Sequence, residues 1–302
     1  MACSSAPTLD SRAYTDAPVR VELTEVPYFP DDPYQCGPQS LAMLLTASGI
    51  ATQPDALVDD VYVPGRRGSF AAELRAASRS LGRIPYQLDP SLPALVAALA
   101  DGYPVLILQN LGLGFAPTWH YALVIGYDRQ EDAFLLRSGP HERLVMSTRH
   151  FERRWRLGDY WAIVALAPGE MPGWVQKEQY EEQLAYLETA WSASVESVYQ
   201  QMLSRWPDST SANLGLGNIA FGRGQLDAAQ IHYQQVLASD GENIAALNNL
   251  AEVYGRMNRV EDAFEVACRA RALAVDHPLE SAVAATLRGL QSHYPGHRCA
   301  AL

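Results

Sequence analysis

The chain has 302 residues, 48% of them hydrophobic, and a formal net charge of −11; this is apolar material for more than one buried core, so two domains are expected. The acidic balance disfavours a nucleic-acid or anionic-membrane surface, and the densest basic cluster, Arg149, Arg153, Arg154 and Arg156, reads as one solvated helix face. No apolar run approaches the ~20 residues of a membrane span, and Cys3, Cys36, Cys268 and Cys299 are too far apart for CxxC ligation, so neither metal nor cofactor is expected.

The opening MACSSAP has two readings. In one it is the cleavage end of a bacterial lipoprotein signal, and Cys3 is the lipidated first residue of a protein anchored in the periplasm or at the outer membrane. In the other Cys3 is incidental to a tail and the protein is cytoplasmic. Membrane contact is expected only through lipid on Cys3. Residues 1–20, rich in Ser, Thr, Pro and Asp, read as a flexible tether.

From Val21 to Pro168 helix and strand signals alternate. QSLAMLLTASG places Leu41, Leu44, Leu45 and Ser48 at helical spacing and stops at Gly49. Further helices are predicted over Gly68–Leu81 and Ser91–Asp101, the latter with a serine cap and a terminating Gly102. Strands follow from Pro104 (PVLILQ), His120 (HYALVIGYD), Ala133 (AFLLR) and Tyr160 (YWAIVALA). Helices first and an antiparallel sheet afterwards predict an α+β domain over residues 21–168. The Pro/Gly-rich break LAPGEMPGW at 166–174 then leads into a strand-free region.

Residues 174–302 carry a repeat. GNIAFGRGQLDAAQIHYQQVLA aligns with AEVYGRMNRVEDAFEVACRARA so that Ala229 and Ala263 stand one tetratricopeptide period apart. The Leu-Gly pair of that pattern is Leu216–Gly217 in one copy and Leu250–Ala251 in the next. One period upstream a degenerate copy ends at Pro207, with YEEQLAYLETAW as its first helix. An all-α tetratricopeptide solenoid that binds a protein partner is expected.

In DDPYQCGPQSLAMLL a cysteine stands between turn formers and the first apolar helix. Pro38 suits the first helical turn, which puts Cys36 at the helix N-terminus, where the dipole favours thiolate. A nucleophilic cysteine needs a base. His120 opens an apolar strand behind a Gly/Pro-rich loop. His141 in a turn, His150 in a charged helix, and His232, His277, His293 and His297 in the helical region have poorer settings.

YQCGPQSLAMLL followed by HYALVIGYD resembles the papain-like cysteine peptidases of the bacteriocin-leader-processing family, over about residues 21–168. The resemblance implies hydrolysis of a peptide bond through a thioester: Cys36 attacks, His120 protonates the leaving amine, and the Cys36 N–H helps hold the oxyanion. Two positions depart from the family. Its oxyanion glutamine, six residues before the cysteine, is Pro30 here, the adjacent Asp31 would repel the charge, and Gln35 is the one nearby amide. Its aspartate after the histidine falls on Ser138 in LLRSGP, while Asp128 sits at the far strand end. A serine orients an imidazole but stabilises imidazolium less than a carboxylate does, so weak activity is expected. A catalytically relaxed peptide-binding module and a thioester acyltransferase stay open.

Cys268 and Cys299 have two readings: a bridge that pins the tail YPGHRCAAL across the last repeat, as an oxidising compartment allows, or a buried thiol and a free tail cysteine.

Overall fold

A computed structural model describes residues 8–9, 14, 16–30, 35–66, 68–184 and 195–299; Cys3 and Asp31 lie outside them. The chain divides into two compact units, 1–190 and 191–302.

In the first unit β1 (Arg20–Glu22) precedes α1 (Cys36–Ala47), α2 (Val58–Val61), α3 (Ala71–Ser80), β2 (Ile84–Gln87) and α4 (Leu92–Ala100). Then come β3 (Val105–Asn110), β4 (Trp119–Asp128), β5 (Ala133–Ser138), β6 (His141–Ser147), α5 (Thr148–Arg156), β7 (Ala162–Leu166) and α6 (Lys177–Leu184). Ser91 caps α4 by accepting from Ala94 N at 3.3 Å, and Gly102 ends it at φ +90°. The sheet is antiparallel in the order β2-β7-β3-β4-β5-β6, with β1 added to β4. Helix α1 is apolar nearly all round. Leu41, Leu44 and Leu45 meet Leu106, Tyr121, Leu123, Ile125, Leu135 and Ile163 of the sheet in one core, which fixes the helix against β4.

Three expectations need correction. The first unit does not stop at the Pro/Gly break. Buried Tyr180 of α6 accepts from Gly169 N at 2.9 Å, Gln176 N donates to the Tyr86 hydroxyl at 2.9 Å, and Arg79 reaches Gln183 at 2.8 Å. Helix α6 therefore covers this sheet and is not the first helix of a repeat; residues 185–191 of that segment lie outside the described residues. The described part of the N-terminal segment is not a loose tether: Leu9 is fully buried, its N–H donates to Asp132 Oδ1 at 2.8 Å, and Arg129 holds the carbonyls of Leu9 and Ala17. His141 opens a strand rather than a turn.

The second unit holds α7 (Val195–Arg205), α8 (Thr210–Gly222), α9 (Leu226–Ser239), α10 (Ile244–Arg256), α11 (Val260–Leu273) and α12 (Glu280–His293). Helix pairs α8–α9 and α10–α11 repeat with one spacing, down to their caps: Ser209 accepts from Ala212 N and Asn243 from Ala246 N. Ala229 and Ala263 are both fully buried. Gly217 is required by close packing, since a Cβ there would stand 2.5 Å from the Tyr233 ring. Cys268 and Cys299 form a disulfide with 5.5 Å between Cα atoms, and His297 stacks on Phe264 at 5.3 Å. The tail is thus pinned across the final repeat.

Candidate active site

Cys36 is the first residue of α1 and belongs to no disulfide. The first-turn N–H groups of a helix have no partner within the helix. Pro38 removes one of them, and Gln39 N is bonded to Gln35 O at 3.1 Å; Cys36 and Gly37 stand at the end of α1 that favours an anion. A Cβ on Gly37 would fall 2.2 Å from Ser69 Oγ; glycine here lets the loop before α3 close against the N-terminus of α1.

Ser40, one turn further on, donates through its hydroxyl to Tyr121 O at 3.2 Å. This bond sets the N-terminal end of α1 against the start of β4, where His120 immediately precedes Tyr121. Burial, and then charge at Cys36 and Glu73, push the Tyr121 phenol up, so cysteine, carboxylate and phenol share one neighbourhood.

His120 Nε2 lies 3.0 Å from Ser138 Oγ. Two features bring Ser138 there. The β4–β5 register shifts between Val124 and Gly126, and β5–β6 shifts between Leu136 and Ser138. The following turn is held by Tyr28, whose hydroxyl donates to Gly139 O at 3.0 Å. With Nε2 engaged, Nδ1 is the ring nitrogen left for a thiol. Burial first, and then the Arg154 guanidinium, push the imidazole down from 6.5 to about 4, so it is neutral at neutral pH.

Gln35 is the N-cap of α1 and makes no side-chain cap bond. Asp128 serves its own turn, accepting from Gln130 N and Glu131 N. Of the other histidines, His150 on α5 bonds Ser147 and His232 bonds Asn213 in the repeats.

Sequence reasoning missed two residues beside His120. Gln109 is its cross-strand partner in the β3–β4 register. It is fully buried, and its amide has no hydrogen-bond partner among the described residues. The signal was a polar side chain closing the apolar run VLILQ. Arg154 had been counted as part of a solvated helix face; it is half-buried and its charge reaches His120. Among the described residues no group of His, Cys, Asp and Glu is arranged to hold a metal ion.

The model of the Peptidase_C39 like family matches residues 22–160, just under half the chain. That match supports a peptidase-type function for the first unit. Residues 210–302 match the TT21 fifth ARM repeats domain, which supports a helical repeat region there. Among solved structures, a candidate C39-like peptidase from Bacillus anthracis is similar at 20% identity and a TM-score of 0.40, over 49% of this chain and 97% of its own. No curated protein matches the chain.

Proposed function

We propose that the first unit is a cysteine peptidase that cleaves a peptide or protein through a thioester, with Cys36 as nucleophile and His120 as its base. Cys36 Sγ adds to the substrate carbonyl while its proton passes to His120. The tetrahedral oxyanion is held by the N–H groups of Cys36 and Gly37, with the Gln35 amide beside them. Collapse breaks the C–N bond, and the amine leaves with the proton from His120. Water then adds to the thioester with His120 as base, and the thiol and a carboxylic acid are released. Ser138 orients the ring. The observation that carries this reading is the His120–Ser138 bond, 3.0 Å long, on the strand end that α1 sets beside Cys36.

A specific observation favours a second reading, a peptide-binding module of the same fold. The site has a serine where a carboxylate would stabilise imidazolium, and the ring is held neutral by burial and Arg154. Mass spectrometry of a peptide digest incubated with the protein separates the two, with Cys36→Ala as control. New termini made only by the Cys36 protein support the peptidase, products joined to an added amine indicate acyl transfer, and an untouched digest leaves the binding module.

The helical repeats, read as a tetratricopeptide array, recruit the substrate or a protein partner. The Cys268–Cys299 bridge fits an oxidising envelope, which supports export and lipidation at Cys3. Among the described residues no helix is long and apolar enough to cross a membrane.

A further inference from the structure

The connection from β3 to β4 is a closed, uncharged tip. Asn110 Oδ1 accepts from Gly112 N and Thr118 N, both at 2.9 Å. Leu111 N donates to Thr118 O at 2.8 Å, and Leu113 and Ala116 exchange backbone bonds of 3.1 and 3.0 Å. A Cβ on Gly112 would sit 2.4 Å from Ala116 O, so glycine is what lets the two arms cross this closely. The ties hold apolar side chains in water: Leu113 is 54% exposed, Phe115 87% and Trp119 53%. Residues 111–119, LGLGFAPTW, contain no charged side chain. Exposed aromatic and aliphatic groups on an ordered loop mark a contact surface.

Against the base of this tip lies a cavity of about 220 Å³, bounded by Leu111, Leu113, Leu157, His150, Arg153 and Arg154. Arg156 on the same helix is paired with Glu152 at 3.8 Å, whereas among the described residues no carboxylate pairs with Arg153 or Arg154. In a chain of net charge −11 this is a local cationic cleft with an apolar rim. It adjoins the site through Arg154, whose charge reaches His120, and through Trp119, which precedes it.

We propose that the β3–β4 hairpin and the α5 arginines dock the leaving-group half of a peptide substrate, an apolar residue followed within two or three positions by an acidic side chain. The assignment to that half rests on the peptidase reading above. His120 must hand its proton to the departing amine, so surface continuous with His120 flanks the residues after the cut. The apolar residue covers Leu113 and Phe115, and the carboxylate meets the guanidinium groups, which hold such anions with paired N–H donors. Two or three residues of extended chain, at ~3.3 Å each, bridge a tip and a cleft that share Leu111 and Leu113.

The test uses full-length Cys36→Ala protein and fluorescein-labelled Gly-Leu-Ala-Glu-Glu, compared with Gly-Leu-Ala-Lys-Lys, by fluorescence anisotropy. The acidic peptide should bind at least about tenfold more tightly, Arg153→Glu should remove that difference, and Phe115→Ser should weaken both peptides. Equal affinities, or an Arg153→Glu protein with unchanged preference, overturn the proposal. So does binding of phosphatidylglycerol vesicles, lost in Phe115→Ser, without binding of either peptide, because the hairpin would then be a lipid contact. In the digest, cuts followed by acidic residues support the proposal, and cuts with no such preference overturn it while the peptidase reading stands. An untouched digest together with selective acidic-peptide binding supports the docking surface and removes the peptidase reading.

Discussion

Ser138→Asp tests the mechanism at its weakest point. In the native site Nε2 faces a neutral hydroxyl at 3.0 Å, and the imidazole is depressed from 6.5 to about 4. Imidazolium is therefore several kcal/mol harder to form here than in a free histidine. An aspartate at 138 would set a carboxylate within ~4 Å of the ring. At an effective dielectric near 20 the attraction is about 4 kcal/mol, and measured shifts for such pairs are about 1–3 units. His120 should therefore titrate between about 5 and 7 in Ser138→Asp, read by the pH dependence of its ring signals in NMR. Alkylation of Cys36 by iodoacetamide at neutral pH should speed up about tenfold or more, since thiol ionisation is coupled to that proton. Acid stability should follow. A histidine whose folded-state pKa lies below its unfolded value has no effect at pH 7 and costs stability as pH falls from 6.5 toward 4, so the variant should lose less over that window. The competing outcome is a buried carboxylate that stays protonated at a cost of several kcal/mol. A variant with native circular dichroism and unfolding midpoint, but with His120 within about 0.5 unit of its native titration, would refute the orienting role of Ser138.

Other expectations follow from the packing. A fragment ending at Pro168 should be unfolded or aggregated while one ending at Ala190 keeps Cys36 alkylation, because Val175, Tyr180 and Leu184 are buried on the first unit; a well-folded shorter fragment would contradict the extended boundary. Cys299→Ser should lower the urea stability of the repeat unit by about 3–4 kcal/mol on the chain-entropy model for a 31-residue separation, and an unchanged midpoint would show that the tail contacts hold without the bridge. Gly217→Ala should destabilise that unit by about 1–3 kcal/mol, since the new methyl meets the Tyr233 ring; thermal unfolding decides. Gln109→Leu should be neutral to stabilising, because it removes a buried amide that has no partner, and a loss above about 1 kcal/mol by urea unfolding would show that the amide is bonded.

What could be read from the residues followed the strength of the periodic signal. Helices α1 and α4 and strands β3, β4 and β5 are long, apolar and bounded by Gly, Ser or Pro, so pattern and fold agree. The missed strands are the edges. Strand β2 is four residues with Pro85 inside, tolerable at the margin of a sheet, and β6 is charged and largely exposed, as an unpaired edge requires. Helix α6 has the same polar-helix character as the repeats that follow. The burial of Tyr180 and Leu184 and the Arg79–Gln183 bond show to which core it belongs.

The site divides in the same way. Cys36 is marked by the turn before a helix and His120 by the strand it opens, so both are local signals; Ser138 is found only through the family resemblance, as the residue standing where that family carries its aspartate. Gln109 and Arg154 belong to the site only through strand register and through the packing of α5, which no window of sequence displays. Yet one of these long-range neighbours, Arg154, acts on the charge of the His120 ring. Burial, Arg154 and the absence of a carboxylate at 138 all disfavour imidazolium. A substrate carboxylate seated on Arg154 offsets one of the three, so an acidic leaving-group residue should raise kcat as well as lower KM. Recognition and activation then run through one arginine, which a reading of the Cys–His pair alone leaves out.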